Sequence, residues 1–253
     1  MVKRHRQTND ANMELLTEIQ ELKGKHPSWG YRRIWAYLLR RKQFAINRKR
    51  VYRLMKENNL LVPKNRKLIA PRSITTHKPK THEPNRYWGI DMTKIMLPTQ
   101  GWIYLHVVID WGSKKLLSAY PSLTSKSGDW LIALNEAINR QFPQGIMDAA
   151  FKPALVSDHG SQPTSKTFKD ACAEVEIQQI FASYSNPKGN AETERMMRTI
   201  KEDLVWPREF TSFAQFKSAL TDWIRAYNED YPHSSIGYMT PYEYERWYQT
   251  SVA

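Results

Sequence analysis

The spacing of apolar residues predicts three short helices in the N-terminal part of this chain of 253 residues. Apolar side chains recur at helical intervals over residues 12–25, 31–41 and 47–55, and Asn47 is suited to cap the third helix. The residues predicted to face inward are Leu15, Ile19, Leu22, Ile34, Tyr37, Leu38, Val51, Leu54 and Met55. This arrangement predicts either a helix-turn-helix unit or a small helical bundle that packs on the rest of the protein.

The pattern changes after residue 61. Residues 62–85 keep no period and contain four prolines, which predicts an extended linker. The next residues form apolar runs, the first two separated by the turn residues 98–101, and predict antiparallel strands at 87–97, 102–111 and 115–122. The remaining predicted elements are strands at 153–157 and 177–182 and helices at 127–141, 165–175, 190–204, 213–227 and 241–247. The fold class expected is therefore α/β, a mixed five-stranded sheet with flanking helices, preceded by a small all-α segment.

Charge is concentrated in the first third of the chain. The whole chain has a formal net charge of +13, but residues 1–86 hold 22 Lys and Arg against 6 Asp and Glu. Residues 87–253 hold 16 basic against 19 acidic residues. A basic segment in which aromatic residues are interleaved is typical of nucleic-acid binding, and the alternative is a solvated basic surface.

Several other classes of protein do not fit the sequence. The single cysteine, Cys172, excludes an internal disulfide and is expected to be a buried helix residue. Long apolar runs and an apolar leader after the charged N-terminus are both missing, so we expect a cytoplasmic protein with no membrane partner. A glycine-rich phosphate loop is also missing, so use of ATP is not expected.

Three carboxylates occur in settings that can bring them together. Asp91 lies within an apolar strand, Asp158 ends a short apolar strand, and Glu194 is one turn into a predicted helix. A carboxylate in an apolar strand is costly to bury unless it is paired or bound to a cation. Hard divalent cations prefer oxygen ligands, and phosphodiester-processing enzymes often hold two of them with carboxylates. The pattern therefore predicts a metal-dependent site for phosphoryl transfer.

Neighbouring polar residues offer other interpretations. Glu192 is an alternative third carboxylate, but it points to a different helix face, whereas Glu194 shares a face with Lys201 seven residues later. Lys201 can contact a substrate phosphate or remain a surface charge. Asp110 ends a predicted strand and is interpreted as a turn residue or an indirect support of the site. His159 is expected to be a hydrogen-bonded structural residue.

The carboxylate spacing resembles that of a known family. The 35 residues between Asp158 and Glu194, with Lys201 seven residues further on, resemble the Asp-Asp-35-Glu core of retroviral integrases and insertion-sequence transposases. Residues 184–201 and 223–241 resemble the second-frame (OrfB) transposases of insertion elements.

A further match lies at the other end of the chain. Residues 26–34 and 47–55 resemble the N-terminal helix-turn-helix segment of the same transposases, and the matches follow the family's order from about residue 26 to 248. The resemblance implies a helix-turn-helix segment at 1–61, a linker at 62–85, an RNase H-like catalytic core at 86–206 and a helical extension at 207–253.

The resemblance also implies a chemistry and a set of partners. Asp91, Asp158 and Glu194 would hold two Mg²⁺ ions, with Mn²⁺ as a substitute, for cleavage at element ends and for strand transfer. The DNA-binding residues implied are Lys201, Lys188, Arg48, Lys49, Arg53, Arg32, Arg33 and His233. The partners expected are double-stranded DNA, further copies of the chain on paired ends, and a first-frame helix-turn-helix protein or fusion, in a bacterial nucleoid.

Two alternatives stay open at this point. One is an RNase H-like nuclease without strand transfer, and the other is a DNA-binding regulator without enzymatic activity. The segment 231–238 also has two interpretations, since its aromatic, hydroxyl and His side chains suit either DNA contact or packing.

Overall fold

The computed structural model describes residues 2–63, 81–182 and 189–252, and the chain divides into two compact units. The first unit contains helices α1 (Val2–Lys25), α2 (Tyr31–Arg40) and α3 (Arg48–Glu57), together with Pro232–Tyr238. The second unit contains the sheet and the remaining helices. Pro232–Tyr238 lies within the predicted helical extension 207–253 but belongs to the first unit. The rest of that extension belongs to the sheet-containing unit.

The helices of the first unit pack through the residues that the apolar spacing selected. All nine predicted inward residues are buried except Tyr37, which is half-buried. Asn47 caps α3, since its side-chain oxygen accepts a hydrogen bond from the Lys49 backbone N–H at 2.8 Å. The predicted start of the first helix at residue 12 is wrong, because α1 begins at Val2. Residues 2–11 are mostly polar and lack apolar spacing, so the pattern could not reveal that the helix extends through them.

The second unit is built on a mixed five-stranded sheet, as predicted. Its strands are β1 (Tyr87–Leu97), β2 (Gly101–Asp110), β3 (Leu116–Ser122), β4 (Ala154–Ser157) and β5 (Gln179–Phe181). Their order in the sheet is β3-β2-β1-β4-β5. The first three strands are antiparallel, as expected from the sequence, whereas β4 runs parallel to both β1 and β5.

Helices cover the sheet and its edge. They are α4 (Ser127–Gln141), α5 (Lys166–Glu174), α6 (Ala191–Ile200), α7 (Phe213–Asp230) and α8 (Pro241–Val252). α4 and α5 bury the face of the sheet that carries Trp88 and Ile90, and Cys172 lies in this core as predicted. α6 covers the opposite side of β1 and β2. The predicted helix 190–204 is α-helical only to Ile200 and continues as a π-helical turn over Lys201–Val205.

The C-terminal helices protect the edge strand β3. Asn228 on α7 accepts from the Leu116 backbone N–H and donates to the Leu116 carbonyl, both at 2.9 Å. Lys115 forms a buried ion pair with Glu245 on α8 at 2.7 Å. The two bonds from Asn228 occupy the Leu116 backbone N–H and carbonyl at the start of this edge strand, so these groups are not available for pairing with another chain. Within the described ranges, every helix is too short or too polar to cross a bilayer.

Candidate active site

Two of the three predicted carboxylates are neighbours, since Asp91 lies in β1 and Asp158 directly follows β4, the adjacent parallel strand. The parallel ladder of β1 and β4 pairs Tyr87 with Ala154 and Gly89 with Val156. The same register, continued by two residues, sets Asp158 beside Asp91. Asp91 is half-buried in the middle of β1, whereas Asp158 is exposed just past the end of β4. Asp158 Oδ1 accepts from the Gly160 backbone N–H at 3.0 Å, and Oδ2 has no hydrogen-bond partner among the residues that the structure describes.

Gly89 allows α6 to approach the face of β1 that carries Asp91. Gly89 and Asp91 are two residues apart and therefore share a face of the strand. A β-carbon at position 89 would collide with Thr193 Oγ1 on α6 and with Trp111 Nε1. The Trp111 indole N–H donates to this Thr193 hydroxyl at 3.3 Å and so anchors the helix. A glycine two residues before an acid in an apolar strand is the sequence signal for this approach, which our sequence analysis missed.

The start of α6 also contacts Asp91 directly. Asn190, which precedes the helix, donates from Nδ2 to Asp91 Oδ2 and to the Ile90 carbonyl, both at 3.4 Å. The Met92 backbone N–H donates to Asp91 Oδ1 at 2.7 Å. The sequence predicts a helix that starts at residue 190 but does not predict this contact, because the contact depends on how α6 packs on β1.

The two glutamates of α6 have different surroundings. Glu192 forms an ion pair with Lys114 at 3.1 Å, and Lys114 also donates to the Trp111 carbonyl at 2.6 Å. Glu192 is therefore tied to the turn between β2 and β3. Glu194 is exposed, and no hydrogen bond or ion pair engages its carboxylate within the described part of the chain. Within the described residues, Glu194 is thus the glutamate of α6 whose carboxylate is available for a ligand, and its role as the third carboxylate stays a prediction.

The electrostatics of the site disfavour three bare negative charges. Burial raises the pKa of Asp91 from its ordinary value of 3.8 to about 6, and the nearby charges of Asp158 and Glu194 act in the same direction. The hydrogen bond from Met92 opposes this rise. Since both neighbouring acids act on Asp91, the three carboxylates occupy one electrostatic environment, which a cation would stabilise.

The donor set suits a hard divalent cation. All three side chains offer carboxylate oxygens, the ligands that Mg²⁺ prefers. Over residues 2–63, 81–182 and 189–252, no three acidic, His or Cys side chains stand close enough to hold one ion together. Asp158 and Glu194 are exposed, so their side chains have room to turn toward Asp91. The three carboxylates therefore fit a divalent metal by the chemistry of their oxygen donors, and both neighbouring acids are close enough to act on the pKa of Asp91.

Asp110 and His159 have the structural roles that the sequence suggested. Asp110 is fully buried and accepts from the Ser113 backbone N–H at 2.8 Å and from the Asn85 backbone N–H at 3.0 Å. Burial raises its pKa to about 6. His159 bonds through Nδ1 to the Ala182 carbonyl at 2.9 Å.

The predicted DNA-binding residues of the first unit fall into two groups. Arg48 and Lys49 are exposed on α3 and make no side-chain hydrogen bond or ion pair with the described residues. Arg53 is also exposed and pairs loosely with Glu57 on its own helix at 3.8 Å. Tyr52 of the same helix is also exposed, so α3 carries exposed basic and aromatic side chains.

The arginines of α2 differ from each other. Arg32 is exposed and donates to the Tyr31 hydroxyl at 3.2 Å. Arg33 donates to the Pro232 carbonyl at 3.2 Å and lies over the Trp29 ring. Arg33 therefore holds Pro232–Tyr238 in the first unit, a role that the sequence analysis did not anticipate.

Three predicted DNA contacts remain. Lys201 is half-buried at the start of the π-helical turn, and within the described ranges its ammonium has no hydrogen-bond or ion-pair partner. Lys188 lies outside the described residues. The Nε2 atom of His233 is buried, and Tyr238 packs edge-on against Trp35. Both observations favour the packing interpretation of this segment and argue against direct DNA contact by His233 Nε2.

Comparison with known proteins adds family matches along most of the chain. An HTH-like domain matches residues 8–67, and two integrase core domain families match residues 81–187 and 175–241. A protein of insertion element IS476 from Xanthomonas euvesicatoria is 29% identical over 248 residues, covering 96% of this chain and 68% of that protein. Transposase InsD of insertion element IS2 from Escherichia coli is 26% identical over 259 residues, covering 96% and 81%.

A solved structure shares the fold. A chain of the simian T-cell lymphotropic virus intasome, determined in complex with PP2A regulatory subunit B56 gamma, matches with a TM-score of 0.55 and 17% identity. The match covers 89% of this chain and 73% of that chain. At this level of identity the likeness establishes the fold alone.

Proposed function

Since this chain belongs to the integrase-core transposases of insertion elements, we propose that it cleaves the ends of such an element and joins them to target DNA. An enzyme of this class is a polynucleotidyl transferase of the Asp-Asp-Glu type. The observation that carries the proposal is that Asp91 on β1 and Asp158, which directly follows the adjacent strand β4, share one electrostatic environment with Glu194 of α6, the helix that packs on β1.

The integrase core family is metal-dependent. We propose that Asp91, Asp158 and Glu194 hold two Mg²⁺ ions, which Mn²⁺ can replace. When bound, these ions supply Lewis-acid activation of the attacking water or 3′-hydroxyl and stabilisation of the leaving oxygen. Direct phosphoryl transfer needs no covalent enzyme intermediate.

The chain's own residues then position the reactants. Asp91 is fixed by hydrogen bonds on both of its carboxylate oxygens, whereas Asp158 and Glu194 are exposed at the surface where DNA must approach. Lys201 lies two turns beyond Glu194 on the same side of the helix, about 10 Å along its axis. The Lys201 ammonium, which has no hydrogen-bond or ion-pair partner among the described residues, suits the phosphate next to the scissile one.

We further propose that α3 contacts the DNA backbone through Arg48, Lys49 and Arg53. An HTH-like domain commonly inserts a helix into the major groove. Because each active site serves one DNA end, paired ends require more than one copy of the chain, and a first-frame helix-turn-helix protein is a further proposed partner.

The carboxylate assignment is tested by alanine substitution and a strand-transfer assay on DNA that carries element ends. Asp91→Ala, Asp158→Ala and Glu194→Ala should each abolish cleavage and joining while DNA binding persists. Glu192→Ala is the matched control, because Glu192 is occupied by Lys114 and should be dispensable for chemistry. Full activity of Glu194→Ala would refute the assignment, and cleavage without joining in the unmodified protein would favour the nuclease alternative.

The DNA-binding assignment is tested by the salt dependence of binding. Charge reversal at Arg48, Lys49 and Arg53 should weaken binding and flatten the slope of log K against log salt by about 0.9 for each lost phosphate contact. Lys169→Glu, at an exposed position on α5, is the control for net charge. An unchanged slope would indicate that the three residues form only a solvated basic surface and do not contact DNA phosphates.

A further inference from the structure

Asn190 lies directly before α6, but its side chain donates hydrogen bonds to β1 and does not cap the helix. An Asn at this position ordinarily caps the helix by accepting a hydrogen bond from a backbone N–H two or three residues later. Asn190 makes no such bond. The N–H groups of Thr193 and Glu194 bond instead to the Asn190 backbone carbonyl, at 3.0 and 3.1 Å. The amide is therefore available for another purpose.

That amide completes the hydrogen bonding of the Asp91 carboxylate. Asn190 Nδ2 lies 3.4 Å from Asp91 Oδ2, while the Met92 backbone N–H lies 2.7 Å from Asp91 Oδ1. Each carboxylate oxygen thus has one protein donor. A carboxylate held at both oxygens keeps one orientation, and the second lone pair of each oxygen remains open for a ligand.

The surroundings of Asn190 argue against a role in packing alone. Its side chain is buried, with the residue 5% exposed, and its Oδ1 has no hydrogen-bond partner in the part of the chain that the structure describes. An unpartnered polar atom in the interior is unfavourable. If the residue at position 190 only filled this space, an apolar side chain would be more favourable than an amide.

We propose that Asn190 is a positioning residue of the active site, which fixes the Asp91 carboxylate and ties the start of α6 to β1. The Glu194 backbone N–H bonds to the Asn190 backbone carbonyl at 3.1 Å, so the contact of Asn190 with Asp91 also links Glu194 to β1. Loss of a hydrogen-bonded neighbour of a metal ligand typically lowers metal affinity by about 10- to 100-fold. This inference rests on the proposed function, because it takes Asp91 as a metal ligand.

The test measures metal affinity without DNA. Asn190→Leu has a similar shape but no donor, and Asp91→Ala is the reference for a lost site. Asn228→Leu is the matched control, since it removes another buried amide, whose bonds go to Leu116 on β3. The thermal unfolding midpoint of each full-length protein is followed across Mg²⁺ and Mn²⁺ concentrations, and a calorimetric Mn²⁺ titration gives the affinity independently.

Asn190→Leu should require at least about 10-fold more metal for the same stabilisation. Asn228→Leu should unfold at a lower temperature but keep the unmodified metal affinity. If Asn190→Leu binds metal as tightly as the unmodified protein while Asp91→Ala does not bind, the positioning role is overturned and the metal site stands. If the unmodified protein and Asp91→Ala respond to metal alike, the proposed metal site itself fails, and the role of Asn190 with it.

Discussion

Asp91 is expected to destabilise the metal-free protein at neutral pH, and Asp91→Asn should reveal by how much. The substitution keeps the size of the side chain and an oxygen that can accept from the Met92 N–H, but it removes the charge. The new amide would face the Asn190 amide. Asn190 can rotate to present its Oδ1, which has no partner in the described part of the unmodified protein. The substitution therefore isolates how much the ionised Asp91 carboxylate lowers the free energy of unfolding.

The magnitude follows from the pKa of Asp91. Burial raises this pKa from 3.8 to about 6, and a difference of about 2 pKa units corresponds to roughly 3 kcal/mol. Asp91 binds its proton more tightly in the folded chain than in the unfolded chain. The loss of stability caused by its ionisation is therefore absent below about pH 4. It grows between about pH 4 and 6 and is fully present above that range. At pH 8 without divalent metal, Asp91→Asn should be more stable by up to about 3 kcal/mol.

Urea denaturation of both proteins, followed by tryptophan fluorescence from about pH 4 to 8, measures this difference. The pKa of Asp110 is also raised to about 6 by burial, but Asp110 is present in both proteins, so its contribution cancels in the difference. Saturating Mg²⁺ should reduce the difference in unfolding free energy between the two proteins at pH 8, since the cation stabilises the ionised carboxylate only in the unmodified protein. The reasoning would be refuted if the difference in unfolding free energy did not change with pH. It would also be refuted if Asp91→Asn were less stable than the unmodified protein at pH 8.

Three further predictions concern other parts of the second unit. Gly89→Ala should lower the free energy of unfolding by about 1–3 kcal/mol in urea denaturation, because the new methyl group collides with Thr193; an effect near zero would mean that α6 moves freely. Lys201→Ala should raise the concentration of end DNA needed for half-maximal cleavage, whereas Lys201→Arg is partly tolerated; wild-type cleavage and end binding by the alanine variant would leave the lysine a surface charge. Glu245→Gln should cost about 3–5 kcal/mol in thermal denaturation, because it leaves the buried Lys115 ammonium without its counter-charge; a loss under about 1 kcal/mol would show that the pair is not essential.

Local patterns were sufficient for most elements of the chain. β1 has the predicted bounds, and the Asn47 cap and the buried positions of the first three helices were also predicted, because each depends on residues close in sequence. The choice of Glu194 over Glu192 rests on the 35-residue interval after Asp158 and on the helix face shared with Lys201, and it stays a prediction. The limits of prediction lie where a helix continues without an apolar pattern, as in residues 2–11 of α1.

Tertiary structure decided what depends on partners distant in sequence. Periodicity gives a strand its faces but not its neighbours, so only the sheet order β3-β2-β1-β4-β5 sets Asp158 beside Asp91. The contact of Asn190 with Asp91 requires α6 to lie close over Gly89, and the attachment of Pro232–Tyr238 to the N-terminal helices spans nearly the whole chain. The sequence determined which chemistry the chain carries, whereas long-range packing determined which of its side chains meet.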